Sequence, residues 1–562
     1  MRKNANINFA LLYGLLYSSI LSFITLRYFL INDGYIKNPE SVAAYPYFAD
    51  RTSVAWDYTF QQPSRIELLP FYHFVSLIGF RAAYFIVLTV MLTVTYLAIF
   101  SLLKAKTKYR YLISFLATPF MLFNPIMWNE IFHLETMYNM GLFALFFYIS
   151  YTTFRDTALI FKDGIKKLSV RFTISRSIII ALILANMTNP HIIMHSLIIL
   201  FWTIVVNFVI SKRYIINMLM LLILISLIYI PLYAYVIIPY IYKALLLNTV
   251  PSPSYVLSHE VLALLSRKSS LLNVFKLTGL YWFNPYKTFY CFNMPKHIWQ
   301  LFNSSILMLL AVILTLPMLK KVQDKLSISL ITLVMIYLIL GTGVHYEYLS
   351  SLYSWLVFAS PLSAFGWIFR NSARFWSLPL PFIYSILISK ALVLLEHINN
   401  QFTRRAFKLF FIIVLVLCYI AASYPLVNNE CPLMIVQPLP HSYKTVCSIF
   451  ETENYTKIFI IPEEPYWGAP LPILKSQHSI IGYNYDRVLS SFLKEILFTN
   501  KTNKLGKILS HAGVGFVLVN ASKDLGNILI SRLHDQLDLR AYFTMNSLHI
   551  YKNTQLTKYL YP

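Results

Sequence analysis

The run NFALLYGLLYSSILSFITLRYFLI (residues 8–31) and the stretch after it, NDGYIKNPESVAAYPYFADRTSVAWDYTFQQPSRIELL (32–69), decide how the chain is read. The first piece has about the length that a bilayer core requires of a helix, and MRKNAN stands before it. Those marks also fit a secretory signal, but the run is long and no small-residue cleavage site is obvious after it, so a retained first span is expected. The second piece gathers Asp33, Asp50, Asp57 and Glu67 with Arg51, Arg65 and a series of aromatics. Only 23 of the 562 residues are Asp or Glu, so carboxylates this dense beside a membrane span mark a chemical centre.

The rest of the composition agrees with a membrane setting. The chain is 57% hydrophobic and 12% charged, with mean hydropathy +0.60, whereas soluble domains are roughly 25% charged. A polytopic α-helical membrane protein follows. A net charge of +24 would suit nucleic acid if the cations formed one patch. They fall instead in short clusters between apolar runs: Arg2/Lys3, Lys104 to Arg110, the stretch 155–176, Lys212/Arg213, Lys320 to Lys325 and Arg404/Arg405/Lys408. With a cytoplasmic N-terminus and alternating spans, every cluster lies on the cytoplasmic side, and the opposite turns 124–138 and 188–191 carry no Lys or Arg. The expectation is a multi-pass plasma-membrane protein with its C-terminal domain extracytoplasmic and no nucleic-acid partner.

Further spans are expected from about 82 to 101 and near 111–123, 141–154, 177–187, 192–210, 215–236, 304–319, 326–340, 377–395 and 409–423, about eleven with the first. A long outer segment, 237–303, is rich in Tyr, Pro and Trp and reads as a lid or acceptor platform; 341–375 is apolar but broken by Gly and Pro, as in re-entrant structure lining a cavity. A transmembrane domain thus covers 1–424, and composition changes over 425–562. There KIFIIP (457–462), SIIGYN (479–484), VGFVLVN (514–520) and SLHIYKN (547–553) read as strands alternating with helical patterns such as VLSSFLKEILF (488–498), a small α/β domain. Four cysteines show no metal-ligand spacing. Cys418 lies in a span; Cys431 and Cys447 form either a disulfide or two free thiols. Asn303, Asn454, Asn500 and Asn520 each begin a glycosylation sequon in a segment placed outside.

Several residue groups are candidates for chemistry. Asp50 or Asp57 fits a general base that takes a proton from an acceptor hydroxyl, provided it comes within about 3 Å; the plainer reading pairs both with Arg51 and Arg65. Arg370 and Arg374, four apart, would share a helix face at the membrane edge and offer forked donors to a lipid-linked phosphate. Snorkelling to headgroups is the alternative. NPIMWNEIFHLETMYN (124–139) supplies Glu130, His133 and Glu135, which suit an acceptor, a divalent metal or simply the interface. Trp56 and Trp128 are the aromatics singled out, and His191 reads as a satisfied loop residue. No glycine-rich phosphate loop occurs among the 15 glycines, so no nucleotide-binding fold and no other cofactor is implied.

Two segments carry a resemblance. SPLSAFGWIFRNSARFWSLPLPF (360–382) is similar to the "fR-x-P-x-Rf" stretch that opens a late span in large polyprenyl-phosphate-sugar glycosyltransferases, including the arabinofuranosyltransferases, and in their relatives of the YfhO type. AGVGFVLVN (512–520) followed by SLHIYKN resembles the "lgVkYvvv … vyvYeN" ending of their outer domain, and the acidic YPYFADRTSVAWD (45–57) fits the first outer loop of the same group, whose architecture is called GT-C. AWDYT (55–59) is similar to the WWDYG of oligosaccharyltransferases, but that motif belongs to their C-terminal domain and is set aside. Ser372 and Ala373 stand where a proline is common, and the first loop lacks a DxD or ExD pair, which leaves the catalytic carboxylate open between Asp50 and Asp57.

The resemblance implies a GT-C-like fold and inverting transfer of a sugar from a polyprenyl (dolichyl) phosphate carrier to an extracytoplasmic glycan, glycolipid or glycoprotein. The substrate-binding set would be Arg370, Arg374, Trp56, Arg51, Glu130, His133 and Glu135. Two rivals stand beside it. A transporter or lipid flippase would show polar groups at mid-span and duplicated halves, and no internal repeat is found. A non-catalytic membrane scaffold is the other.

Overall fold

The computed structural model describes residues 2–31, 77–103, 109–130, 134–162, 168–187, 189–208, 212–234, 258–278, 325–360, 366–395, 400–427, 501–511, 513–521 and 526–555. It also describes the short pieces 35–36, 436–437, 445–446, 448–449, 457–461, 480–481 and 495–497, and residues 238, 441 and 499. The chain divides into two compact units, one of Met1–Leu30 and Tyr84–Leu433, the other of Ile31–Ala83 and Met434–Pro562.

The first unit is helical. Its opening elements are α1 (Arg2–Ile31), α2 (Phe80–Leu102), α3 (Arg110–Ala117) running into a 3₁₀ turn (Thr118–Met121), α4 (Pro125–Glu130), α5 (Leu134–Lys162), α6 (Leu168–Asn186), α7 (Pro190–Phe208) and α8 (Lys212–Leu232). Two short helices, α9 (His259–Ser266) and α10 (Leu271–Phe275), lie within the expected outer segment. Then come α11 (Lys325–Gly341), α12 (Glu347–Phe358), α13 (Gly366–Phe369), α14 (Ser372–Ser377), α15 (Leu380–Leu394) and α16 (Gln401–Val427).

Among the described residues three helical stretches are long and apolar enough to cross a membrane: Asn8–Arg27, Arg81–Leu102 and Ser372–Val393. Four shorter apolar helices, Ile174–Asn186, His191–Trp202, Leu221–Leu232 and Leu326–Gly341, accompany them. The described helices therefore establish a membrane-type pattern but not the full number of about eleven spans; the expected span at 304–319 lies outside the described residues.

Apolar side chains fill the interior and also cover the outer faces of the helices, as in a membrane protein. On α1, Leu11, Leu12, Leu15, Leu16 and Phe23 face outward while Ser18, Ser22 and Thr25 are buried. Lipid makes outward leucine costless, and small polar residues let helices approach. Gly14 shows the same economy, since a Cβ there would stand 2.7 Å from the ring of Tyr96. Several buried threonines turn back on their own helix: Thr25 donates to the Leu21 carbonyl, Thr93 to that of Thr89 and Thr95 to that of Met91, each at 2.8 Å.

The second unit is α/β. Strand β1 (Tyr35–Ile36) pairs antiparallel with β2 (Val436–Gln437), so the start of the acidic stretch belongs with the tail. The main sheet contains β3 (Lys457–Ile461), β4 (Ile480–Ile481), β5 (Val514–Asn520), β6 (Leu539–Met545) and β7 (Leu548–Asn553) in the order β4-β3-β5-β7-β6. The first three are mutually parallel, and β7 runs antiparallel to both β5 and β6. Helices α17 (Leu505–His511) and α18 (Gly526–His534) cover one face, where Phe459, Ile461, Val517, Val519 and Tyr551 meet Leu505, Leu509, Leu529 and Leu533. The four segments expected as strands form β3, β4, β5 and β7; β6 was not anticipated. Asn546, at φ 54, makes the tight turn between β6 and β7, a left-handed conformation that Asn tolerates.

A buried polar knot starts α17. The carboxylate of Asp538 accepts from the amides of Gly506 (2.9 Å) and Lys507 (2.7 Å), and Gln536 Oε1 accepts from Leu505 at 2.9 Å. Gly506 is required there, because a Cβ would come within 2.8 Å of the Asp538 carboxyl carbon.

Candidate functional site

The segment RNSARFWSLP (370–379) is short, and neighbours hold it on every side. Asn371 caps α14, its side chain accepting from the amide of Arg374 at 3.3 Å. At the other end Pro379 has no amide to offer the carbonyl of Phe375, four residues back. His195 of α7 fills that gap, its Nε2 donating to Phe375 O at 2.7 Å while Nδ1 accepts from the Tyr337 hydroxyl at 3.2 Å. The tautomer follows from the carbonyl, which can only accept. His195 and Tyr337 are both fully buried.

Aromatic contacts complete the setting. Tyr353 of α12 donates to the Phe369 carbonyl at 2.8 Å and accepts from Trp376 Nε1 at 3.2 Å. The ring of Phe375 lies edge-on to Phe369 at 5.0 Å and to His191 at 5.6 Å. Ser372 meets Ser266 at 3.2 Å beside Gly343, whose φ of +57 and lack of a Cβ let the chain pass between them.

Arg374 is thereby presented to α4. That helix begins with Asn124 as cap, its Oδ1 accepting from the Met127 amide at 3.0 Å, and Pro125 in the first turn. It ends at Glu130, which receives a two-pronged fork from Arg374: Nε to Oε1 at 2.7 Å and Nη2 to Oε2 at 2.9 Å. Glu130 is 1% exposed and the Arg374 side chain 33% exposed. A buried carboxylate thus fixes the orientation of a guanidinium whose remaining surface reaches outward. Close by, Asn139 of α5 accepts from the amide of Asn189 at 3.2 Å and ties the start of α7 into the same end of the bundle.

The structure brings together two of the residues read from the sequence as substrate-binding, Arg374 and Glu130. It separates a third. Arg370 and Arg374 do not share a helix face, because the Asn371 cap starts α14 after Arg370, which lies in an exposed bend. His191 stands in the first turn of α7 instead of a loop, since Pro190 is well suited to a first helical position. Glu135 lies in the first turn of α5, and Trp128 lies in α4. Asp50, Arg51, Trp56, Asp57 and His133 fall outside the described residues, as do Cys431 and Cys447. Glu130 does not fit a metal ligand in this arrangement, because both its oxygens accept from a guanidinium that would repel a cation. Among the described residues no cluster of three or more His, Cys, Asp or Glu is placed to hold a metal ion. Sequence reasoning missed His195 and Tyr337; the signal available was a lone imidazole inside the apolar run HIIMHSLIILF (191–201).

No protein-family model matches the chain, and no curated protein matches it. Among solved structures, the crystal structure of the Archaeoglobus fulgidus oligosaccharyltransferase in the apo form is similar, with a TM-score of 0.50 and 12% identity over 98% of this chain and 74% of that one. At that identity the likeness concerns the fold. The likeness is to the fold of that oligosaccharyltransferase and gives no support to the finer arabinofuranosyltransferase or YfhO-type resemblance.

Proposed function

We propose that the chain is an integral-membrane GT-C glycosyltransferase that moves a sugar from a polyprenyl phosphate carrier to an acceptor outside the cell. The observation that supports this reading is the Arg374–Glu130 fork, in a helical bundle whose fold is similar to that of an oligosaccharyltransferase. In the reaction Asp50 or Asp57 takes the proton of an acceptor hydroxyl, whose oxygen bonds to the anomeric carbon as the bond from that carbon to the phosphate oxygen breaks. The polyprenyl phosphate departs with the electron pair. Arg374 binds the phosphate and compensates the charge that grows on it, where low dielectric strengthens the interaction. Glu130 acts through Arg374 by fixing the plane of its guanidinium, which spares the cost of ordering it when the donor arrives.

The test uses the purified chain in lipid nanodiscs with a panel of isotope-labelled polyprenyl phosphate sugars, read as release of polyprenyl phosphate. Removal of a charge-stabilising donor lowers turnover by about a hundredfold or more, and Arg374→Ala is expected to do so; Arg374→Lys, which keeps charge but not the fork, falls between. Equal turnover by the folded Arg374→Ala variant overturns the assignment.

A further inference from the structure

Helix α12 has three differently composed sides. Its 12 residues reach about 18 Å, too short for a hydrocarbon core of about 30 Å. On the back, Tyr353 and Val357 are buried, and Tyr353 is tied to Phe369 and Trp376. On the front, Tyr348, Leu352 and Trp355 form a stripe at i, i+4 and i+7 that is 77%, 53% and 52% exposed. At about 100° per residue, Glu347, Ser350, Ser351 and Ser354 fall together on a third flank beside the stripe, with Phe358 at its far end packed against His259 at 4.4 Å. Three exposed apolar side chains of this size in line need an occupant.

The surface around the stripe identifies it. The Leu271 amide donates to the Tyr346 hydroxyl at 3.2 Å, so the exposed Leu271 and Leu272 of α10 adjoin the start of α12. Helix α10 packs on α11, where Val274 nearly touches Gly341, and α11 is an apolar helix that exposes Met335 and Ile339 on another side and ends with five residues left before α12 begins. The exposed leucines of α10 and the end of an apolar helix thus both stand next to the start of α12. Tyr and Trp are the aromatics that favour the boundary between hydrocarbon and headgroups, and a polar flank beside an apolar stripe is the form of a helix lying in that plane.

We propose that α12 lies in the lipid interface of the bilayer, its Tyr348–Leu352–Trp355 stripe sunk among headgroups and upper acyl chains and its serine flank toward water. The bond that Tyr353 accepts from Trp376, with the one it donates to Phe369 just before α14, then holds α14, and with it Arg374, at headgroup depth. The bearing on donor binding rests on the transferase reading; the placement of α12 does not.

A benzophenone amino acid introduced at Leu352, and at Tyr348 in a second variant, is photolysed in phosphatidylcholine liposomes and its products are identified by mass spectrometry. Met335 serves as the lipid-facing control and Tyr542, exposed in the tail sheet, as the aqueous one. Adducts to the upper acyl chain or glycerol at both α12 positions, as strong as those at Met335, are expected. A crosslinked second copy of the chain, or a product pattern like that at Tyr542, overturns the proposal. Either failure leaves the Arg374 turnover assay untouched, so the two readings fail separately.

Discussion

Replacing Glu130 by glutamine keeps the volume and one acceptor oxygen but removes the charge that faces Arg374. Deleting one partner of a fully buried pair costs about 3–5 kcal/mol, most of it from the charge left behind. Here the stranded charge would be Arg374, which is a third exposed, so water recovers part of that loss and Glu130→Gln should cost about 1–3 kcal/mol. Arg374→Gln strands the more deeply buried Glu130 instead and belongs nearer the full range. Equilibrium unfolding in mixed detergent micelles, followed by circular dichroism, measures both single variants and the double variant. The double variant should be more stable than the sum of the singles implies, by more than about 1 kcal/mol. Additivity within about 0.5 kcal/mol would show that the fork does not couple the two residues and would refute the reasoning.

Three other outcomes follow from the same geometry. His195→Leu leaves the Phe375 carbonyl with only the Leu378 amide at 3.3 Å and removes the acceptor of the Tyr337 hydroxyl, and should destabilise the first unit by about 1–3 kcal/mol in the same titration, with His195→Gln recovering part through its amide donor. Asp538→Ala strips two amides of α17 of their acceptor, a loss of about 1–2 kcal/mol that hydrogen exchange should register across 505–511 and not in the bundle. His549 is held below the ordinary imidazole range, first by burial and then by the charge of His534. Its folded value lies under the unfolded one, so the stability it contributes is present above about pH 6.5 and is lost as pH falls toward the folded value. Amide exchange in β6 and β7 should quicken on acidification, and less so in His534→Gln.

The periodic features of the fold were legible in the sequence. Apolar runs and cation clusters announced a membrane bundle, and the alternating KIFIIP, VGFVLVN and SLHIYKN segments announced β3, β5 and β7. What escaped was non-periodic or distant. β6 leaves most of its residues exposed or half-buried, so LRAYFTM (539–545) carries little apolar alternation to read. Four-residue spacing put Arg370 and Arg374 on one helix, but a single capping asparagine between them decided otherwise. The partner of Arg374 lies 244 residues away, and no local pattern ties Glu130 to it, although both were singled out separately. His195 was overlooked because its run is otherwise apolar, and its purpose shows only once Pro379 is seen to free the carbonyl opposite.

The central claim is that Arg374, aimed by Glu130, handles the phosphate of a lipid-linked sugar. Mass spectrometry of surface glycans and glycolipids from cells carrying Arg374→Ala, with the variant present at the wild-type level, tests it most directly. The account predicts that a sugar present on a wild-type glycan or glycolipid is missing and that its lipid-linked precursor accumulates. An unchanged set of glycans and precursors would contradict it.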